Sequence, residues 1–125
     1  MEYYLVGYLL TSILVLCYFW IKFKKITKRA NTIDLGTIPK EDLHKINWID
    51  ARTFREVENT SIEGTIQIPW DNIYNNNFQK EDKIVIFCNS GIRSSKAAEN
   101  LQHAGYLNVF YYNGHYSEIK KLLEH

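Results

Sequence analysis

Apolar and polar positions alternate differently in three parts of this chain. Tyr3 to Ile21 reads YYLVGYLLTSILVLCYFWI and has no charged residue and no polar face. As a helix it spans about 28 Å, close to the hydrocarbon thickness of a bilayer. A buried core helix of that length would show a polar side. Residues 30–36 then read as a short polar connector. From residue 37 the pattern becomes that of a small mixed domain, large enough for one core. A helix is predicted from about Pro39 to Lys45, a buried strand at Trp48–Asp50 and a brief helix at Thr53–Glu58. A strand follows at Gly64–Pro69, closed by proline, and then a weak helix or turn at Trp70–Phe78, interrupted by Asn75, Asn76 and Asn77. Lys83–Phe87 is a continuous apolar run, as a central parallel strand requires. Ser94–Ala104 places Ala97, Ala98 and Leu101 at helical spacing before Gly105, Val109–Tyr112 reads as a strand, and Tyr116–Leu123 as a final helix. Strands alternating with helices predict an α/β fold with an open, mainly parallel sheet flanked by helices, preceded by one transmembrane helix.

Charge adds an orientation. The apolar run is preceded by Glu2 and followed by Lys22, Lys24, Lys25, Lys28 and Arg29. A cleaved signal peptide carries its cations before a shorter apolar stretch. The positive-inside rule predicts instead an uncleaved, single-pass anchor in the cell membrane over residues 1–29, with the amino terminus outside and the domain of residues 37–125 cytoplasmic. From residue 45 onward nine Lys/Arg face ten Asp/Glu, so the net +1 of the whole chain is a juxtamembrane excess. That distribution suits the bilayer's anionic lipid heads and gives no nucleic-acid footprint. Of the two cysteines, Cys17 falls in the apolar run and Cys88 in the domain, which precludes a disulfide within one chain and fits a reducing compartment.

Cys88 carries the candidate chemistry. It ends the strand Ile-Val-Ile-Phe-Cys and opens the loop Asn89-Ser90-Gly91-Ile92-Arg93-Ser94. Ligands of open α/β sheets bind beyond the carboxyl ends of strands. Successive loop N–H groups and the positive pole of the next helix favour a thiolate there. Gly91 permits the sharp turn, and Arg93 either complements an oxyanion or locks the loop. A tyrosine-phosphatase-like loop is one residue longer, enough to wrap a tetrahedral phosphate. The shorter loop fits the outer sulfur of thiosulfate or a persulfide, and argues against a cysteine phosphatase or arsenate reductase.

Over about residues 37–117 the chain resembles the rhodanese family of single-domain sulfurtransferases. Cys88 through Ser94 is similar to that family's active-site loop, and Asp50-Ala51-Arg52 with Glu56 to its Asp-Val-Arg opening. Ile62-Glu63-Gly64-Thr65-Ile66-Gln67-Ile68-Pro69 is similar to its Ile-Pro-Gly-Ala-Ile-Asn-Ile-Pro stretch, and Ala104 through Gly114 to its closing segment. Thr60-Ser61 departs from the usual Gly-His, Asn89 from Arg or Gln, and His115 from a second glycine. The resemblance implies a Cys88 persulfide loaded from a small sulfur donor such as thiosulfate or a persulfide. It also implies discharge to cyanide or an external thiol, loop residues 89–94 as the substrate cradle, and no cofactor or metal.

Asp50 and Arg52 are expected as a buried supporting pair. His44, His103, His115 and His125 lack metal-ligand spacing, and Trp70 and Tyr74 are candidates to line the site. The alternative function is a non-catalytic module of the same fold that binds a membrane or cytosolic protein partner from its tethered position.

Overall fold

The computed structural model describes residues 2–27 and 30–124, and side chains from residues 3–21 and 30–124. The side chains of Lys22, Lys24 and Lys25, and all of Lys28, Arg29 and His125, lie outside the described residues. Helix α1 covers Glu2–Thr27. Its Tyr3–Ile21 stretch has a mean hydropathy of 1.9 and is long and apolar enough to cross a membrane.

The domain is built on five strands: β1 (Asn31–Thr32), β2 (Asn47–Asp50), β3 (Thr65–Gln67), β4 (Ile84–Cys88) and β5 (Val109–His115). They form one parallel sheet in the order β1-β5-β4-β2-β3. β4 takes the centre because it has no polar side chain to keep wet, and all five of its residues are buried. Side chains alternate across a strand. Ile84, Ile86 and Cys88 therefore join one core with Ile49, Ala97, Ala98 and Leu101, while Val85 and Phe87 join the other with Leu43, Trp48 and Ile119. Helix α3 (Ile92–His103) covers the first face with Ser94, Ala97, Ala98 and Leu101, a stripe at i, i+3, i+4 and i+7. Helix α4 (Tyr116–Glu124) covers the second through Ile119.

The segments that depart from the sequence reading do so for local reasons. Residues 30–36 are not a free connector. Ala30 is buried, Asn31 and Thr32 pair with Phe110 and Tyr111, and Asp34 caps a turn by accepting from Gly36 N–H at 3.0 Å. Lys40–Lys45 is a 3₁₀ helix rather than an α-helix. It is pinned where the Trp48 indole donates to the Leu43 carbonyl at 2.9 Å. After Trp70–Asn72 helical geometry stops, because the Asn76 amide donates to Ile73 O and its carbonyl accepts from Phe78 N–H, closing a side-chain turn. β5 continues past Tyr112 to His115 through an irregularity that pairs Cys88 with His115. Gly114 makes this possible: a Cβ there would lie 2.7 Å from the Tyr112 ring.

The central strand should dominate stability. Ile86→Ala removes a side chain with no exposure and should cost about 2–5 kcal/mol, read as a lower thermal midpoint of the full chain in detergent. Ile92→Ala, at a position 75% exposed, should stay within about 0.5 kcal/mol of the parent.

Candidate active site

Strand β4 delivers Cys88 to the carboxyl edge of the sheet, and the chain turns through Asn89, Ser90 and Gly91 straight into α3. Gly91 is required twice over. Its φ is +89°, and a Cβ would sit 2.7 Å from Asn113 Oδ1 and 3.1 Å from Asn113 Cα. The turn aims the Gly91 N–H at Cys88 Sγ, 3.1 Å away, and Ser94 Oγ lies 3.4 Å from the same sulfur. Both Cys88 and Ser94 are fully buried. Burial alone pushes the Cys88 thiol up. Hydrogen bonds from the Ser94 side chain and backbone and from the Ser90 and Gly91 backbones outweigh it, and the pKa falls below the ordinary 9.0. Ser90 and Ile92 project outward and are exposed, while Asn89 and Arg93 are half-buried.

Arg93 does not point free into the loop. Its Nη1 and Nη2 donate to Glu56 Oε1 and Oε2 at 2.5 and 2.8 Å, a two-point ion pair. Asn89 Nδ2 donates to the same carboxylate at 2.5 Å. Of the two roles open to Arg93 in the sequence, locking the loop is the one this geometry provides. Glu56 is itself fixed by helix α2 (Phe54–Val57), whose capping box joins Thr53 and Glu56 reciprocally. The Arg93 guanidinium beside it holds the Glu56 carboxyl at about 2, against 4.5 normally. The Thr-x-x-Glu spacing marks Glu56 as a helix start, but its partners lie 33 and 37 residues away, beyond any local pattern.

Asp50 and Arg52 come together as the sequence suggested, with exposures of 0% and 1%. Asp50 accepts from Arg52 N, Nε and Nη2 at 2.7–3.1 Å. The guanidinium also donates to Thr60, Nη1 to its hydroxyl at 2.8 Å and Nη2 to its carbonyl at 2.9 Å. Thr60, a departure from the family pattern, thus takes two of the arginine's hydrogen bonds. Trp70 packs against the α3-side core. Tyr74 bonds the Asn100 carbonyl, about two turns along α3 from the loop. A groove of about 580 Å³ lined by Leu35, Leu43, Leu122 and Leu123 includes none of the loop residues. No cluster of three His, Cys, Asp or Glu arranged for a metal occurs among the described residues.

Residues 37–122 match the rhodanese-like domain. The chain belongs to the rhodanese-like family. Its fold is that of a human single-domain sulfurtransferase, with TM-score 0.63 and 23% identity over 74% of this chain and 96% of that one. A Bacillus subtilis protein named as a sulfur carrier is 33% identical over 66 residues, 51% of this chain and 36% of its own length. A tRNA uridine(34) hydroxylase of Yersinia enterocolitica is 32% identical over 75 residues, 54% of this chain and 21% of its own length. The chain therefore spans only about a fifth to a third of these two curated relatives.

Two measurements follow from this rhodanese-like loop. Ser94→Ala removes a bond that favours the thiolate, so the pH profile of Cys88 alkylation, followed by peptide mass, should move upward and the rate at neutral pH should fall several-fold. Because the folded pKa of Glu56 is below its unfolded value, the unfolded chain binds more protons between about pH 4.5 and 2. The stability this carboxylate contributes is present above that window and lost as pH falls through it. Thermal midpoints of Glu56→Gln should start lower at neutral pH and show a shallower acid decline than the parent.

Proposed function

We propose that the protein is a membrane-tethered sulfurtransferase that carries sulfane sulfur on Cys88. The observation that supports the reading most is the cradle around Cys88 Sγ, where the Gly91 N–H and Ser94 hydroxyl favour an anion on sulfur in a buried, four-residue loop closed by Arg93. The Cys88 thiolate attacks the outer sulfur of thiosulfate. The bond to the sulfonate sulfur breaks, sulfite leaves with the electron pair, and Cys88 holds a persulfide anion. A thiol persulfide donor loses a thiolate in the same way. A thiolate or cyanide then attacks the terminal sulfur and regenerates the Cys88 thiolate.

Residues 89–94 form the substrate cradle in this reading. Asn89 and Arg93 act through Glu56 to hold its shape, and Asp50 with Arg52 supports it from beneath. The acceptor comes from outside, since the second cysteine, Cys17, lies in α1. No cofactor or metal enters these steps. Helix α1 serves as a single-pass anchor in the cell membrane, amino terminus outside, with the domain in the cytoplasm and within reach of a membrane protein partner. The family supports sulfur transfer as a class. The particular donor and acceptor are part of the proposal.

Intact mass of the full chain in detergent tests it. After thiosulfate or a thiol persulfide the parent and Cys17→Ser should each gain one sulfur, which cyanide removes, and Cys88→Ser should gain none. A parent that gains no sulfur from thiosulfate, polysulfide or a thiol persulfide would reject catalysis in favour of a non-catalytic, partner-binding module.

A further inference from the structure

Strand β5 ends beside the cysteine. The register pairs Cys88 with His115, which puts their backbones one inter-strand spacing apart, about 4.8 Å. Two residues earlier, Asn113 is the residue against which Gly91 of the loop packs. His115 is exposed, and its ring is held from two sides. Ser117 N–H donates to Nδ1 at 3.2 Å with Ser117 Oγ at 2.9 Å, and the Tyr116 ring lies 4.3 Å away. Tyr116 in turn carries the Arg52 guanidinium 3.8 Å from its centroid. The imidazole thus stands on a stack whose base is the buried Asp50–Arg52 pair.

A backbone N–H can only donate. In the neutral ring Nδ1 is therefore the acceptor and the hydrogen sits on Nε2. Nε2 therefore offers an N–H with no partner among the described residues. The Arg93 and Arg52 guanidiniums are already committed, Arg93 to Glu56 and Arg52 to Asp50 and Thr60, while Arg55 is exposed on α2. An incoming anion finds the His115 Nε2–H among the uncommitted side-chain donors at this end of the sheet, on the strand position paired with Cys88.

We propose that His115 selects the sulfur donor, its Nε2–H binding the oxygens of donors that carry a sulfonate-type group, of which thiosulfate is the simplest. This rests on the sulfur-transfer reading above. During transfer the Cys88 thiolate bonds to the outer sulfur, the sulfur–sulfur bond to the sulfonate breaks, and sulfite departs with both electrons. The hydrogen bond from Nε2 accompanies the oxygens throughout, and no proton changes hands.

The test compares two donors on the full chain in detergent: thiosulfate, and cysteamine persulfide, which has no anionic oxygen. His115→Asn keeps an oxygen that can cap α4, and His115→Ala does not, so unfolding midpoints separate a loss of the cap from a loss of the donor. In His115→Asn, kcat/KM for thiosulfate should fall about tenfold, with cysteamine persulfide changed less than about twofold. An equal fall for both donors would reduce His115 to a structural cap, and unchanged thiosulfate kinetics would remove its role altogether. A parent that loads from cysteamine persulfide but not from thiosulfate would overturn donor selection and leave sulfur transfer standing. A parent that loads from neither donor would overturn both.

Discussion

The carboxylate of Glu56 is the point at which the rest of the site is made rigid. It closes the capping box of a helix only four residues long, takes both terminal nitrogens of Arg93, and receives the Asn89 amide. A helix that short has almost no stability of its own, so α2 and the cysteine loop hold each other in place through one charged group. A half-exposed ion pair alone would be worth little. Here it is two-pronged and networked, and each partner is anchored to a separate element, which makes it a clamp between β2's continuation and the start of α3.

What was legible in the sequence was what local chemistry dictates. The apolar run of β4, the small-residue stripe of α3 and the cysteine at the end of the strand each depend on neighbours within a few positions, and each appears where the pattern put it. The same holds for Asp50 and Arg52, two residues apart, although their third partner Thr60 looked only like a departure from a family pattern. The rest depended on distant chain. β1 is two polar residues whose strand character comes from pairing with Phe110 and Tyr111, and no periodicity exists at that length. The extension of β5 through Asn113-Gly114 defied a pair of residues that ordinarily signals a turn, because the Tyr112 ring occupies the space beside Gly114.

The departures from the rhodanese-like pattern fall around the loop and do not interrupt it. Thr60 accepts two of the Arg52 hydrogen bonds, and Asn89 joins the Glu56 clamp as a neutral donor. His115 occupies the strand position paired with the cysteine, its ring held by Ser117 and Tyr116. Each exchange leaves the backbone cradle intact and alters which side chains surround it. Backbone N–H groups are indifferent to sequence, so a cradle built from them tolerates a changed rim.

The edge strand β1 also sets a geometric limit on the domain. Thr27 is the last residue of α1 and Ala30 is already buried in the sheet's edge. Three residue steps cover at most about 11 Å, so the leash between helix and domain is shorter than the domain is wide. With α1 in a bilayer, the domain is held close to the lipid surface. Tethering then acts as a concentration device: a reaction partner in the same membrane meets the loop at a high effective concentration, while a freely diffusing one gains nothing from the anchor.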